Sequence, residues 1–389
     1  MGWYKRKARL AGLCFAGAAL LFCSLARTEG LSAPGNPGGG EMLFTLEGVE
    51  GFSGKDGQVS GGGTSLWDKA GENLRFNIDL VSQFEITRRR GEPAWRNAAG
   101  VDIHKVFSDR RGDIGTAVLQ SYYVRRDNAL PVPAHVEDDD DWELEFHDFY
   151  FNLTRWGRGR ANLKLGHFDL PFGLEPTVDT HQRVRQLIPG PNLGMKKDWG
   201  LSLNGDFPRF DYELSFTRGS GAEYVGARRP GVSARSADRN YAFAGRIGSP
   251  SDRNLFYGLS GFYGQVLNPR NDLIIRRVRG GVDAGWVLDQ FTLLGEASLG
   301  RNFDFDVFNT LVELDWISPY AKWKAWLQGI YLGRESAATN WDEQIMLRLG
   351  GECQITGRWS ASSQFSYDLE KFAAGPSDSK FILQTRYYF

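Results

Sequence analysis

Between Asp169 and Asp198 the chain sets four carboxylates, Asp169, Glu175, Asp179 and Asp198, against four cations, Arg183, Arg185, Lys196 and Lys197. The chemistry open to such a set is electrostatic rather than covalent. Opposed charges on the two sides of a narrow passage create a transverse field, which sorts solutes by charge and size. The stretch is too long for a tight turn and is not low-complexity. Pro171, Pro176, Pro189 and Pro191 stiffen it, while Gly173, Gly190 and Gly194 let it bend. The pore candidates are therefore Asp169, Glu175, Asp179, Arg183, Arg185, Lys196 and Lys197, on a constriction loop spanning 169–198. The plainer alternative is a solvated surface loop. A second basic set, Arg276, Arg277 and Arg279 with Lys322 and Lys324, is the stretch best suited to attract anions. Other charges in alternating segments, among them Arg75, Arg246, Arg348, Asp79, Glu145, Glu213, Glu296, Glu313 and Asp315, read as wall residues facing water.

Other motifs carry less. Glu137–Asp141 reads EDDDD, and a like-charge run is more often solvated, or bridged to lipopolysaccharide by divalent ions, than a calcium site. The five His are scattered without metal-ligand spacing, so no metal site is expected. Arg111-Gly112-Asp113 reads as a turn. His147 and His167 lie near Ser and Asp residues, yet nothing in the sequence fixes a catalytic geometry. No catalytic residue and no cofactor is expected.

The elements that hold these charges alternate with a period of two. Leu74–Ile86, LRFNIDLVSQFEI, puts Leu74, Phe76, Ile78, Leu80, Phe84 and Ile86 on one side and Arg75, Asn77, Asp79, Gln83 and Glu85 on the other. Similar stretches recur to the C-terminus, about sixteen in all, each near the length that crosses a bilayer at a tilt. The final ten residues, KFILQTRYYF, place Phe381, Leu383, Thr385, Tyr387 and Phe389 on one face and end on an aromatic. A terminal strand that closes a barrel gains from an aromatic at the lipid–water boundary. Connections alternate short and long from Trp142 onward. Short ones include Asp206–Arg209, Leu288–Gln290 and Thr356–Arg358; long ones include 169–198, 220–240 and 334–343. Running the alternation backwards makes Ser108–Asp113 a short turn and Arg88–Gly100 an outer loop. Trp142, Trp156, Trp199, Trp316, Trp341 and Trp359 fall near strand ends, as interfacial girdles would.

Composition fits this pattern. The chain has 389 residues with 48 Gly, 13% aromatic content and a net charge of -1. Mean hydropathy is -0.38, too polar for a bundle of membrane helices and normal for lipid-facing and water-facing residues in alternation. A near-zero net charge gives no argument for nucleic acid. Lys5, Arg6, Lys7 and Arg9 precede an apolar run with Ser24-Leu25-Ala26 after it, so residues 1–26 read as a signal peptide. Removing it leaves Cys353 alone, without an intrachain disulfide. Residues 27–73 read as a flexible periplasmic lead-in and 74–389 as the barrel. The expected fold is all-β, a transmembrane antiparallel up-and-down barrel of about sixteen strands.

The stretch from Glu145 to Gly219 resembles the phosphate-selective porin O/P superfamily. Gly166, Phe168, Pro171, Phe172, Gly173, Leu174 and Glu175 fit one recurring element, and Gly200, Leu203 and Gly205 fit another. The resemblance covers about a fifth of the chain. It implies a sixteen-stranded outer-membrane porin of a Gram-negative bacterium, usually trimeric, with a loop folded into the lumen. Phosphate specificity does not follow from it. The expected function is passive diffusion of small hydrophilic solutes or ions, with anions one option. The expected partners are the bilayer, lipopolysaccharide, the solutes and further copies in a homotrimer. Two alternatives stand beside it: a sheath holding a partner such as a secreted multihaem cytochrome, and an outer-membrane enzyme.

Overall fold

The computed structural model describes residues 73–88, 93–127, 142–157, 159–221, 240–267, 274–336, 340–372 and 379–389. The expected signal peptide, the expected lead-in up to residue 72 and Glu137–Asp141 lie outside the described residues. Sixteen antiparallel strands form one closed barrel in which each strand pairs with its sequence neighbours and the last pairs with the first. They are β1 (Leu74–Thr87), β2 (Ala94–Asp109), β3 (Gly112–Asp127), β4 (Trp142–Leu153), β5 (Asn162–Asp169), β6 (Lys197–Asp206), β7 (Asp211–Thr217) and β8 (Tyr241–Gly248), followed by β9 (Leu255–Leu267), β10 (Ile274–Leu288), β11 (Phe291–Asn302), β12 (Phe305–Ile317), β13 (Trp323–Arg334), β14 (Asp342–Gln354), β15 (Trp359–Glu370) and β16 (Lys380–Tyr388).

Closure rests on the two strands read first in the sequence. β1 and β16 pair from Asp79↔Tyr388 to Thr87↔Lys380. Beyond the last strand residue, Phe389 still exchanges main-chain bonds with Ile78, at 2.7 and 3.0 Å. A closed ladder leaves no edge with unpaired amides, which is what a lipid-embedded sheet requires.

The period of two sorts the faces. Leu80, Tyr123, Leu214, Tyr263, Leu299, Leu327, Leu349 and Leu383 are all exposed on the outside. Inside, Asp79, Asn162, Arg246, Asp283, Glu313 and Gln328 are buried. An exposed apolar belt this continuous suits a lipid environment and no aqueous one. Aromatic pairs mark its rims: Phe84–Trp95 at 4.9 Å and Tyr123–Trp142 at 5.6 Å near one end, Trp359–Tyr387 at 4.7 Å near the other.

The connections divide by end, as the sequence predicts, with three differences. The β1–β2 connection is 88–93, because β2 begins at Ala94 and absorbs most of the expected loop. The inserted loop is 170–196, because Asp169 pairs with Lys197 and Phe168 with Asp198 in the β5–β6 ladder. At the loop end β11 and β12 are joined by two residues alone, Phe303 and Asp304. The wall is lowest where the long loop is rooted: β5, β7 and β8 have 8, 7 and 8 residues against 16 in β2 and β3.

Candidate functional site

Residues 170–196 fold into the barrel, and the local sequence explains how. Leu170 N–H bonds Lys196 O at 3.0 Å, pinching the root of the loop. Gly173 then turns with φ +61, a conformation that favours glycine, and any Cβ there would collide with the Glu296 carboxylate. That turn lets two successive amides meet the wall: Gly173 N–H donates to Ser260 Oγ and Leu174 N–H to Glu296 Oε2, both at 3.0 Å. The chain next runs across the lumen and ends in a short helix, α1 (Pro189–Leu193), closed by Gly194 in the left-handed region.

One side of the loop is apolar and finds an apolar inner wall. Leu174, Leu187 and Ile188 pack against Phe256, Leu294, Leu311, Ile330 and Leu332. Phe172, Leu193 and Met195 pack against Ala242, Ala244, Phe262 and Val266. Burying each large side chain is worth about 1.5–3 kcal/mol. The inner faces of β8, β9 and β11–β13 are thus a core roofed by the loop, and a free space lies against β1, β2, β4, β5 and β16.

The polar side of the loop is tied to the opposite wall. Arg386 grips Asp79 with two bonds of 2.9 and 2.8 Å, and Tyr122 donates to the same carboxylate at 2.8 Å. Tyr122 also accepts from His181 Nε2 at 2.6 Å. Gln182 accepts from Arg96 at 2.8 Å, donates to His147 Nε2 at 3.2 Å, and gives its carbonyl to Gln384 at 2.9 Å. Gln186 O accepts from Gln328 at 3.1 Å and Arg348 at 3.2 Å. A β-bulge presents the key histidine. The β3–β4 register jumps from Gln120↔Asp148 to Ser121↔Phe146 and leaves His147 unpaired.

The predicted loop charges are brought into one region, but they do not face each other across open space. Glu175 holds Lys196 at 2.5 Å and accepts from Thr180 at 3.1 Å. Burial pushes its carboxyl up, against the pull of Lys196. Lys197 lies between Asp148 at 2.8 Å and Asp169 at 2.6 Å. Arg185 pairs with Glu313 and with Asp315 at 2.8 Å. Arg183 is 3.6 Å from both Asp179 and Glu352. Asp179 also accepts from His181 N–H at 2.8 Å. Charges on a folded-in loop lose water, and the cheapest state is one in which each finds a partner.

The members of these pairs differ in which one faces the space beside the loop. A cavity of about 490 Å³ lies between the loop and the wall, lined by Arg96, Arg183, Lys196, Lys197 and Lys380 with His147, His167 and His181. No Asp or Glu is among its described lining residues. Glu145 and Glu175 are buried behind the cations. His181 is half-buried, and desolvation first, then the neighbouring His147 and Lys197, holds its pKa well below the usual imidazole value.

The second basic set is not brought together. Arg277 and Arg279 sit at the loop end of β10 under α1, where both bond Asn192, at 3.3 and 3.1 Å. Lys322 lies in the turn before β13 and Lys324 at its start, at the opposite end of the barrel. Arg276 points outward and is 3.5 Å from Asp304. Three of the histidines scattered in sequence meet in the fold: His147 and His181 have ring centroids 4.8 Å apart, and His167 Nδ1 is 2.8 Å from His147 O. Sequence reasoning missed Tyr122, His147, His181, Gln182 and Asn192 as parts of the site.

Comparison with solved structures places the fold. The chain is similar to OmpF of Salmonella typhi in complex with daunomycin, with TM-score 0.60, 10% identity, and coverage of 81% of this chain and 97% of that one. It is similar to OprB of Pseudomonas putida at high pH, with TM-score 0.59, 10% identity, and coverage of 83% and 95%. It is also similar to the anion-selective porin of Comamonas acidovorans, with TM-score 0.56, 11% identity, and coverage of 81% and 99%. No protein-family model matches the sequence, and no curated protein does. The chain is therefore a closed sixteen-stranded barrel of the porin type in its fold.

Proposed function

We propose that this barrel sits in the outer membrane and carries small hydrophilic solutes by passive diffusion, with a preference for anions. The observation that supports the preference is the cavity beside the loop: five cations line it, and the described lining holds no carboxylate. Inside a low-dielectric wall a fixed charge facing the space outweighs an opposite charge one layer behind it, because Coulomb energy falls with distance. The roofed apolar core narrows the passage to one side of the lumen, so size is selected as well as charge. The resemblance around Gly166–Glu175 to the phosphate-selective porin O/P superfamily favours a porin with a loop folded into the lumen, without fixing the solute. Trimer assembly is part of it: one solved neighbour, OmpT of Vibrio cholerae, is described in a trimer form. His147 and His181 are occupied in the loop–wall seam, His167 meets His147 O and His104 pairs with Asp102, so we read the barrel as a channel and not an enzyme.

The test is planar-bilayer recording under a salt gradient. The wild-type reversal potential should show anion preference. Arg183→Glu and Lys196→Glu, each with its charge on the cavity, should move the potential towards cation preference. A wild-type barrel that inserts but stays closed, or a potential unmoved by either substitution, would sink the proposal.

A further inference from the structure

The cavity beside the loop is lined by more than cations. Gln83 on β1, Gln384 on β16 and Gln186 on the loop share it with Arg183 and Lys196. Two of these amides have a fixed orientation. Gln186 Nε2 donates to Thr180 O at 2.9 Å and to Arg183 O at 2.7 Å. Gln384 Nε2 donates to Gln182 O at 2.9 Å. An amide whose nitrogen is held by carbonyls turns its oxygen the other way. Among the described residues no donor meets Gln186 Oε1 or Gln384 Oε1, and the Gln83 amide has no partner at either end. Neither oxygen is sealed off, and all three side chains line the cavity.

Short links bring these acceptors to the cations. Gln83 and Gln384 are cross-strand partners in the closing ladder, so their Cβ atoms are about 4.5–5.5 Å apart. Gln384 holds the carbonyl of Gln182, the residue before Arg183. Gln186 holds the carbonyl of Arg183 itself and that of Thr180, whose hydroxyl meets Lys196 Nζ. Arg183 keeps capacity to spare: its carboxylate neighbours Asp179 and Glu352 stand at 3.6 Å, beyond hydrogen-bond length. Two cations and three carboxamide oxygens thus share a cavity of about 490 Å³, within the ~300–1,000 Å³ usual for small-molecule sites. The two kinds of group call for different ligand atoms. A cation takes an anionic oxygen, whereas a carboxamide oxygen takes a donor, which chloride, sulfate and a bare carboxylate lack.

We propose that the cavity binds a polyhydroxylated carboxylate, a sugar acid of about one hexose ring, as the solute it passes. The carboxylate lies on Arg183 and Lys196, in charge-assisted bonds, and the hydroxyls donate to Gln186, Gln384 and Gln83. This rests on the cavity being an anion passage and names the class of anion.

The experiment is titration calorimetry on the full-length protein in detergent with three probes: D-glucuronate, cyclohexanecarboxylate and D-glucose. The second has the ring and carboxylate without hydroxyls, and the third has hydroxyls without the carboxylate. Glucuronate should bind about tenfold more tightly than either, or better. Gln83→Met, which breaks no described hydrogen bond, should weaken glucuronate about threefold to tenfold, as loss of one neutral hydrogen bond does, and should spare cyclohexanecarboxylate. Lys196→Gln should weaken both acids and spare glucose. Glucuronate and cyclohexanecarboxylate binding equally, or Gln83→Met matching wild type, would overturn the role of the hydroxyls. Glucuronate binding no tighter than glucose would overturn the role of the carboxylate. Salt-gradient recording on the same preparation keeps the two failures apart. A barrel that prefers anions yet does not bind glucuronate sinks the sugar-acid assignment alone. Glucuronate binding by a barrel without anion preference upholds the site and sinks anion conduction alone.

Discussion

Arg185 is the loop residue whose removal should do most to free the loop. It is half-buried between two carboxylates on β12: Glu313, which is fully buried, and Asp315, which it meets at 2.8 Å. Burial alone would lower its pKa, and Asp315 and Glu313 carry it above its ordinary value instead. Arg185→Met keeps the length of the stem and removes the charge. Two carboxylates then remain inside the wall without the cation. Breaking a buried pair from one side costs about 3–5 kcal/mol. If that cost falls on the docked state, the equilibrium between docked and released loop shifts by about 10² to 10⁴. Single-channel recording with polymers of graded size reads the outcome. The variant should pass larger polymers, show more gating noise, and shift towards cations as Glu313 and Asp315 face the passage. Arg185→Met combined with Glu313→Gln and Asp315→Asn should return towards wild type, since it removes the orphaned charges. A single variant with wild-type conductance and exclusion would refute the reasoning. So would a triple variant no better than the single one, because the coupling argument requires recovery.

Two further outcomes test the seam and the hinge. His181 is held neutral by burial, so its folded pKa lies below the unfolded value of about 6.5. The unfolded or released loop binds more protons in the window between the two values, so docking is at full strength above that window and weakens as pH falls through it. Its surroundings are Tyr122 and Asp79 on β3 and β1, His147 on β4, Arg386 on β16, Lys196 and Lys197, and Asp179 on its own loop. Gating noise should therefore rise below about pH 6.5 in wild type, and His181→Asn should flatten that dependence. Gly173→Ala meets both a left-handed φ of +61 and the Glu296 carboxylate, and should cost about 1–3 kcal/mol of loop docking. Limited proteolysis of the loop in the folded barrel would show it as faster cleavage, and a cleavage rate equal to wild type would count against the hinge.

The barrel was legible because a lipid-facing sheet has to alternate. LRFNIDLVSQFEI and KFILQTRYYF carry that alternation plainly, and both lie in the seam that closes the sheet. The start of β2 was less legible, because Asn97 and Ala99 occupy outward positions where Leu or Phe would give the signal. The error over Arg276 could have been avoided. A period of two places it on the face opposite Arg277 and Arg279, and its exposed position confirms the period. Strand direction also separates Arg277 from Lys324 without coordinates: β10 starts at the loop end and β13 at the turn end. The histidine seam had no such signal. His147 and His181 are 34 positions apart and meet only because a bulge turns one inward while the loop carries the other across. No local pattern encodes both events.

That distinction also explains why the constriction differs from the one expected. Opposed charges in sequence suggest opposed charges in space, because composition says nothing about layering. Once the loop enters the barrel, each charge pays desolvation, and pairing offsets it. Glu175 therefore takes Lys196, and Lys197 takes Asp148 and Asp169. The pairs are nearly neutral in sum, yet they are oriented: the apolar roof fixes the loop against β9 and β11–β13, and Arg183, Lys196 and Lys197 line the cavity beside it. If the barrel conducts as proposed, its selectivity comes from the orientation of these ion pairs, which the hydrophobic packing of Leu174, Leu187 and Ile188 sets from the far side. Loosening that packing should blur charge preference even with every charged residue in place. Leu174→Ala, at a cost of about 2–5 kcal/mol for a fully buried leucine, should bring the reversal potential closer to zero. A reversal potential that stays at the wild-type value would show that the charges select without the roof.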